Sequence, residues 1–140
     1  MQLPFFVYGT LKQGGPNYMR YLTGHTTSEL AAYLEGAVMF TQGPYPFLTR
    51  EPDLLPPAAV VYGSLISIRP PVYQLVLADL DRLEGYVAGA SENLYERVRL
   101  DVMTANGPQQ AWVYIAGTHA LQLIRTGQMR SIPGGVWSTE

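Results

Sequence analysis

The chain has 140 residues, of which 47% are apolar and 14% charged, and its formal net charge is −2. This composition predicts a globular protein with a sizeable core and argues against disorder. The small net charge and the single lysine predict no binding to nucleic acid or to membranes. The absence of cysteine excludes disulfides, thiolate metal sites and cysteine nucleophiles, and His25 and His119 show no metal-ligand spacing.

The N-terminal part begins with a strand over residues 2–8, which ends abruptly at a glycine-rich loop. A short helix is expected over residues 17–22, after a proline, with Asn17 as its cap. The next strand is expected over residues 34–41. The proline-rich stretch 42–57 then predicts a loop.

A long strand with few charges is expected over residues 58–68. It is followed by the clearest helix of the sequence, over residues 72–84, which Gly85 closes. Clean alternation of polar and apolar residues predicts a strand over 95–103. An Asn-Gly turn, in which both residues accept positive φ, connects it to a partner strand over 110–116.

A last short helix is expected around residues 119–125, and the tail is expected to be loose from about residue 126. No domain boundary or repeat interrupts the sequence, so residues 1–140 are expected to form a single domain. The strands and short helices predict an α+β fold with a closed or nearly closed antiparallel sheet. The N-terminus lacks a signal peptide and no apolar run reaches membrane-spanning length, so a cytoplasmic protein is expected.

The tetrad Tyr-Gly-(Ser/Thr)-Leu occurs twice, at residues 8–11 and 62–65. The second copy lies within a strand, so its amides are expected to pair in a ladder. In the first copy the strand ends, which leaves the amides of Gly9, Thr10 and Leu11 without an obvious ladder partner. Free amides around a glycine form a concavity that binds a carboxylate, a phosphate or an oxyanion. A plain strand-to-helix turn is the structural alternative.

Glu84 is the one charged residue on the apolar side of the helix over 72–84, whereas Asp79, Asp81 and Arg82 lie outside that side. An ionised carboxylate against apolar surface has a raised pKa, which is typical of a general acid or base. The alternative is a helix-end glutamate that turns outward to solvent. The apolar side consists of Tyr73, Val76, Leu77, Leu80 and Leu83.

These segments together resemble the γ-glutamylcyclotransferase-like family, and within it the small AIG2-like branch that includes γ-glutamylamine cyclotransferase. The similarity covers most of residues 3–116. It is carried by FFVYGTLKQGGPNYMRYL, by YGSL on a following strand, and by LADLDRLEGY, YERVRLDV and AWVYIAG.

The resemblance implies a small barrel of mainly antiparallel strands with short flanking helices, and it implies that Glu84 is the catalytic glutamate. At the C-terminus, Val136 stands where many members of the family have an acidic residue. For the two aromatic residues of the implied pocket, ordinary core packing is the alternative. The residues that the resemblance assigns to substrate binding are Tyr8, Gly9, Thr10, Leu11, Tyr95 and Tyr114.

The activity that the resemblance implies is the release of 5-oxoproline and a free amine from a small γ-glutamyl amine. Glu84 would remove a proton from the substrate's ammonium group, and the amides of residues 9–11 would hold its carboxylate or the oxyanion. This chemistry requires no metal, cofactor or covalent intermediate. A hydrolase with the same site and a non-catalytic binding domain remain alternatives, and the leaving amine and the oligomeric state stay open.

Overall fold

The computed structural model of the chain describes residues 2–138, and all the elements below lie within them. The strands are β1 (Phe5–Val7), β2 (Thr26–Glu35), β3 (Val38–Thr41), β4 (Pro46–Thr49), β5 (Val60–Ile68), β6 (Tyr95–Thr104), β7 (Gly107–Ala116) and β8 (Arg130–Ser131). The helices are α1 (Pro16–Tyr21), α2 (Tyr73–Leu83) and α3 (Thr118–Arg125). Among the described residues, no helix has the length and apolar character needed to cross a lipid bilayer.

Five of the strands close into a barrel in the order β1-β5-β2-β6-β7. Neighbouring strands are antiparallel except β1 and β7, which run parallel and meet where Phe5 pairs with Trp112. The expectation of an α+β fold with a closed, mainly antiparallel barrel is therefore confirmed. The remaining three strands form a separate sheet in the order β4-β3-β8.

One buried cluster takes residues from all five barrel strands and therefore fills the barrel. A second cluster lies outside and packs α2 and α3 against the barrel. Along β1, Phe5 and Val7 belong to the outer cluster whereas Phe6 belongs to the inner one, as the period of a strand requires. The barrel strands contribute to the inner cluster Phe6, Ala32, Leu34, Val61, Leu65, Val102, Ala111 and Val113.

The hairpin of β6 and β7 lies where its alternation predicted it, but its turn differs in detail. Thr104 pairs with Gly107 across the turn, and Gly107 alone has a positive φ, of 100°. The amide of Asn106 donates to Thr104 Oγ1 at 3.1 Å, which stabilises the turn without a positive φ at Asn106. The expectation that both residues of the Asn-Gly pair adopt positive φ is thus wrong for the asparagine.

β2 and β4 lie partly or wholly where the sequence predicted no strand. Most of β2 precedes the strand expected over 34–41, and residues 36 and 37 separate β2 from β3. β4 lies within the stretch expected to be a loop, although every one of its residues is buried. Its proline, Pro46, is tolerated because it is the first residue of an edge strand, where a missing amide breaks no ladder.

The expectation of a loose tail is wrong for residues 126–138. β8 pairs with β3, with Phe40 opposite Ser131, and Met129 is buried in the outer cluster. Trp137 packs against the inner cluster, and its carbonyl oxygen accepts a hydrogen bond from Lys12 Nζ at 3.0 Å. The last two residues of the tail, 139 and 140, lie outside the described residues, as does residue 1.

The packing of the tail against the barrel gives a stability prediction at Gly135. A Cβ added there would lie 2.0 Å from the carbonyl oxygen of Val60, whereas a Cβ at Gly127 would meet nothing within 4 Å. Both glycines have positive φ, of 70° and 81°, so an alanine at either position has the same backbone strain. Gly135→Ala should therefore lower the free energy of unfolding by about 1–3 kcal/mol more than Gly127→Ala. Urea unfolding of both variants measures this difference, and equal losses would contradict the packed tail.

Candidate active site

A cavity of about 220 Å³ opens where the end of β1, the end of α2 and the start of β6 come together. It is walled by backbone of the first loop, by the C-terminal end of α2 and by aromatic side chains of the barrel. Every residue that the sequence assigned to a site lines this one cavity. These residues are Tyr8, Gly9, Thr10, Leu11, Glu84, Tyr95 and Tyr114.

The loop after β1 leaves its first amides free of the sheet. The carbonyl oxygen of Gly9 accepts a hydrogen bond from the amide of Lys12 at 3.0 Å, and that of Thr10 accepts one from Asn17 at 3.0 Å. Among the described residues, the amides of Gly9, Thr10 and Leu11 donate to no backbone oxygen. The prediction that these three amides are unpaired in the sheet is confirmed, and a group of donors is therefore available at the cavity wall.

The same loop is fastened by Asn17, although not as a helix cap. The helix α1 begins one residue earlier than expected, with Gly15 at the N-cap and Pro16 in the first turn. The side-chain amide of Asn17 instead donates to Thr10 Oγ1 at 2.8 Å. A Cβ at Gly15 would lie 2.4 Å from the carbonyl oxygen of Thr10, so the loop folds back on its own backbone too closely for any residue but glycine.

The second tetrad lies entirely within β5, as predicted. Gly63 pairs with Ala32 on one side, and Ser64 pairs with both Ala31 and Val7. A Cβ at Gly63 would lie 2.3 Å from the carbonyl oxygen of Val7, so this glycine permits a close approach between two barrel strands. The second copy is therefore structural, and only the first copy lines the cavity.

Glu84 lies at the C-terminal end of α2, as its cap residue, with its side chain half-buried in the cavity wall. None of the ion pairs among the described residues involves Glu84, so the prediction that it has no arginine partner is confirmed. Burial raises the pKa of Glu84 from 4.5 to about 7. A carboxyl with this pKa exchanges a proton readily near neutral pH, which suits a general acid or base.

Three tyrosines surround the carboxylate, and all three have their hydroxyl groups engaged by the protein. Tyr8 donates to the carbonyl oxygen of Tyr114 at 2.6 Å, and Tyr95 donates to that of Pro46 at 2.7 Å. Tyr114 donates to Asp81 Oδ1 at 2.7 Å. Burial raises the pKa of each of the three tyrosines well above its ordinary range, and the charge of Glu84 adds to the effect. They are therefore neutral and give the cavity its shape.

An ion pair beside the cavity was not predicted from the sequence. Arg97 binds Asp81 with two hydrogen bonds, of 2.8 and 3.2 Å, and its guanidinium lies over the rings of Tyr86 and Trp112. The side chains of Arg97 and Asp81 are only 14% and 20% exposed. Because the sequence pattern placed both on polar faces, nothing in it indicated this pair. Asp81 thus neutralises Arg97 and holds Tyr114 in the cavity wall.

Comparisons with known proteins identify the family of this chain. The family model for "Gamma-glutamyl cyclotransferase, AIG2-like" matches residues 5–139, and the chain belongs to this family. A relative from Niallia circulans, γ-L-glutamyl-butirosin B γ-glutamyl cyclotransferase, is 31% identical over 79% of this chain and 64% of its own length. γ-Glutamylaminecyclotransferase A of Danio rerio is 34% identical over 81% of this chain and 68% of its own length.

Solved structures share the architecture. An AIG2-like protein from Mus musculus is 26% identical, with a TM-score of 0.55, over 87% of this chain and 82% of its own. YkqA from Bacillus subtilis is 20% identical, with a TM-score of 0.65, over 98% of this chain and 40% of its own, and it is similar in fold alone. The overall fold of this chain is therefore shared with a solved AIG2-like protein.

The raised pKa of Glu84 predicts how stability changes with pH. The folded protein binds the proton of the Glu84 carboxyl more tightly than the unfolded chain does. The stabilisation that this proton gives to the folded state is therefore complete below about pH 4.5 and is lost as the pH rises through about 7. Glu84→Gln removes the effect, so the stability of the variant relative to the unchanged protein should rise between pH 5 and pH 8. Urea unfolding at both pH values measures this. Glu35→Gln, on an exposed part of β2, should show no such trend. An equal difference at both pH values would mean that Glu84 is not desolvated.

The ion pair of Asp81 and Arg97 predicts a difference between two aspartates of the same helix. Asp81→Asn leaves the guanidinium of Arg97 largely buried and without its counter-charge, so the free energy of unfolding should fall by about 1–3 kcal/mol. Asp79 pairs with Arg82, whose side chain is 75% exposed, and Asp79→Asn should cost less than about 0.5 kcal/mol. Thermal or urea unfolding measures the stability of both variants. Equal losses of unfolding free energy would show that the pair of Asp81 and Arg97 stabilises the protein no more than the exposed pair of Asp79 and Arg82 does.

Proposed function

We propose that this protein is a γ-glutamyl cyclotransferase, which releases 5-oxoproline and a free amine from a γ-glutamyl amine. The single observation that carries the proposal is the placement of an unpaired, half-buried carboxylate and a set of unpaired backbone amides in one cavity. The family membership and the names of the two relatives support the same reaction.

The first step of the proposed reaction is the removal of a proton from the substrate. The α-amino group of a γ-glutamyl compound is protonated near neutral pH, and a protonated amine is not a nucleophile. Glu84, ionised above a pKa of about 7, accepts one proton from this ammonium group. No ion pair among residues 2–138 involves Glu84, which favours this role, because a cationic partner would lower the pKa and weaken the base.

The second step is ring closure. The α-amine attacks the carbon of the substrate's own γ-carbonyl group, a C–N bond forms, and the oxygen of that carbonyl becomes an oxyanion. The free amides of Gly9, Thr10 and Leu11 are suited to bind either this oxyanion or the substrate's α-carboxylate. The walls formed by Tyr95 and Tyr114 keep the substrate folded, so that its amine and carbonyl meet.

The third step releases the products. The oxyanion collapses, the original amide C–N bond breaks, and Glu84 gives its proton to the departing nitrogen. The ionised Glu84 then takes the second proton from the new ring nitrogen and passes it to the released amine, which leaves as an ammonium ion. The sum is one γ-glutamyl amine converted into 5-oxoproline and one amine, with no water consumed. If water attacked instead of the α-amine, the product would be free glutamate, which identifies a hydrolase.

The reaction is tested by incubating the protein with a panel of γ-glutamyl amines and identifying the products by mass spectrometry. The expected product is 5-oxoproline, together with one equivalent of free amine. Free glutamate in its place would contradict cyclisation, and binding of the substrates without any product would contradict catalysis.

The role of Glu84 predicts the behaviour of two substitutions. Glu84→Gln keeps the shape and removes the base, so kcat should fall by about 100-fold to 10,000-fold. Glu84→Asp should also be poor, because a carboxylate withdrawn by one methylene no longer reaches the ammonium group. In the unchanged protein, kcat/KM should rise with pH through about 7, as Glu84 ionises. Glu35→Gln is the matched control and should keep full activity. Full activity in a well-folded Glu84→Gln protein would rule out the mechanism.

A further inference from the structure

A second concavity, of about 340 Å³, adjoins the active-site cavity. The two share two lining residues, Tyr45 and Leu94, which therefore form the boundary between them. Both are large apolar side chains that are exposed to an unusual degree, at 42% and 36%. A γ-glutamyl group held between the free amides and Glu84 would have this second concavity beside it as a place for its amine half.

The second concavity contains no charged side chain of fixed sign among its described lining residues. Its lining is mixed: Phe47, Ala120, Leu123 and Met129 are apolar, whereas the amide of Gln42, the hydroxyl of Tyr45 and the exposed His119 are polar and carry no fixed charge. In the active-site cavity the single carboxylate is Glu84, which the proposed reaction occupies. A cationic amine in the second concavity would lose part of its hydration and gain no carboxylate partner, whereas an apolar amine would bury its surface against Phe47, Leu123 and Met129.

We infer that the concavity beyond Tyr45 and Leu94 binds the leaving amine, and that this amine is an apolar alkyl or aryl amine with no second charge. The inference rests on the proposed cyclotransferase function and deepens it, because it names the substrate class. Selection works in both directions, since the apolar side chains of the lining favour the uncharged amine and the missing carboxylate disfavours a diamine. Tyr45 and Leu94 are then the residues that determine which amine is accepted.

Three substrates with the same four-carbon chain separate the possible amine classes. γ-Glutamyl-butylamine is apolar, γ-glutamyl-1,4-diaminobutane adds a terminal ammonium, and γ-glutamyl-norvaline adds a carboxylate. The release of 5-oxoproline is measured for each and compared as kcat/KM. The butylamine substrate should exceed each of the charged substrates by at least about tenfold.

A designed charge tests the role of the boundary directly. Leu94→Glu places a carboxylate between the two cavities, so the ratio of kcat/KM for the butylamine substrate to that for the diaminobutane substrate should fall by at least about tenfold. The matched control is Leu75→Glu, an exposed leucine of α2 that lines neither cavity, which should leave the ratio unchanged. If Leu94→Glu does not fold, as judged by circular dichroism, then Tyr45→Glu provides the same test.

The outcomes distinguish this inference from the proposed function. If no substrate yields 5-oxoproline, the proposed function fails and the inference fails with it. If 5-oxoproline forms, but a charged substrate is used as well as the butylamine one or better, only the inference is overturned. It is also overturned if the two boundary variants leave the substrate ratio unchanged, or if Leu75→Glu changes it as much as they do.

Discussion

The desolvated carboxylate of Glu84 is the constraint on which the rest of the site depends. Its side chain is half-buried at the end of α2 and has no cationic partner among the described residues, so its pKa rises to about 7. The neighbouring side chains leave the Glu84 carboxylate unpaired because they bind other partners. Arg97 of β6 is bound by Asp81 through two hydrogen bonds. The hydroxyl groups of Tyr8, Tyr95 and Tyr114 donate to other acceptors. A proton-accepting group is thereby kept available at neutral pH.

The loop after β1 provides hydrogen-bond donors in the same cavity, where they can bind an anion. β1 ends after three residues, and the loop that follows folds back so that Gly15 lies against the carbonyl oxygen of Thr10. Asn17 holds the loop by its hydrogen bonds to Thr10, while the amides from Gly9 to Leu11 stay out of the sheet. A donor cluster on one wall and an unpaired carboxylate on another are what a substrate with an α-carboxylate and an α-ammonium group requires.

The sequence predicted which residues line the cavity better than it predicted the outer parts of the fold, for physical reasons. Glu84 was visible because it breaks the helical period of its own helix, which is local information. β4 was missed because its proline resembles a loop signal, and β8 because two residues form a strand only through a distant partner. β2 was mostly missed because its small and exposed residues show little alternation, although its long pairing with β5 stabilises it. The ion pair of Asp81 and Arg97 joins α2 to β6, and the hydrophobic pattern of either element alone does not predict a contact between them.

The central claim is that the Glu84 carboxyl titrates near neutral pH because it is desolvated and unpaired. The most direct test is a ¹³C NMR titration of the protein with labelled glutamate side chains, in which the resonance absent from Glu84→Gln assigns the residue. The account predicts a midpoint near 7 for this carboxyl. A midpoint near 4.5, the ordinary value, would show that the carboxylate is solvated or paired, and the proposed proton transfer would lose its basis.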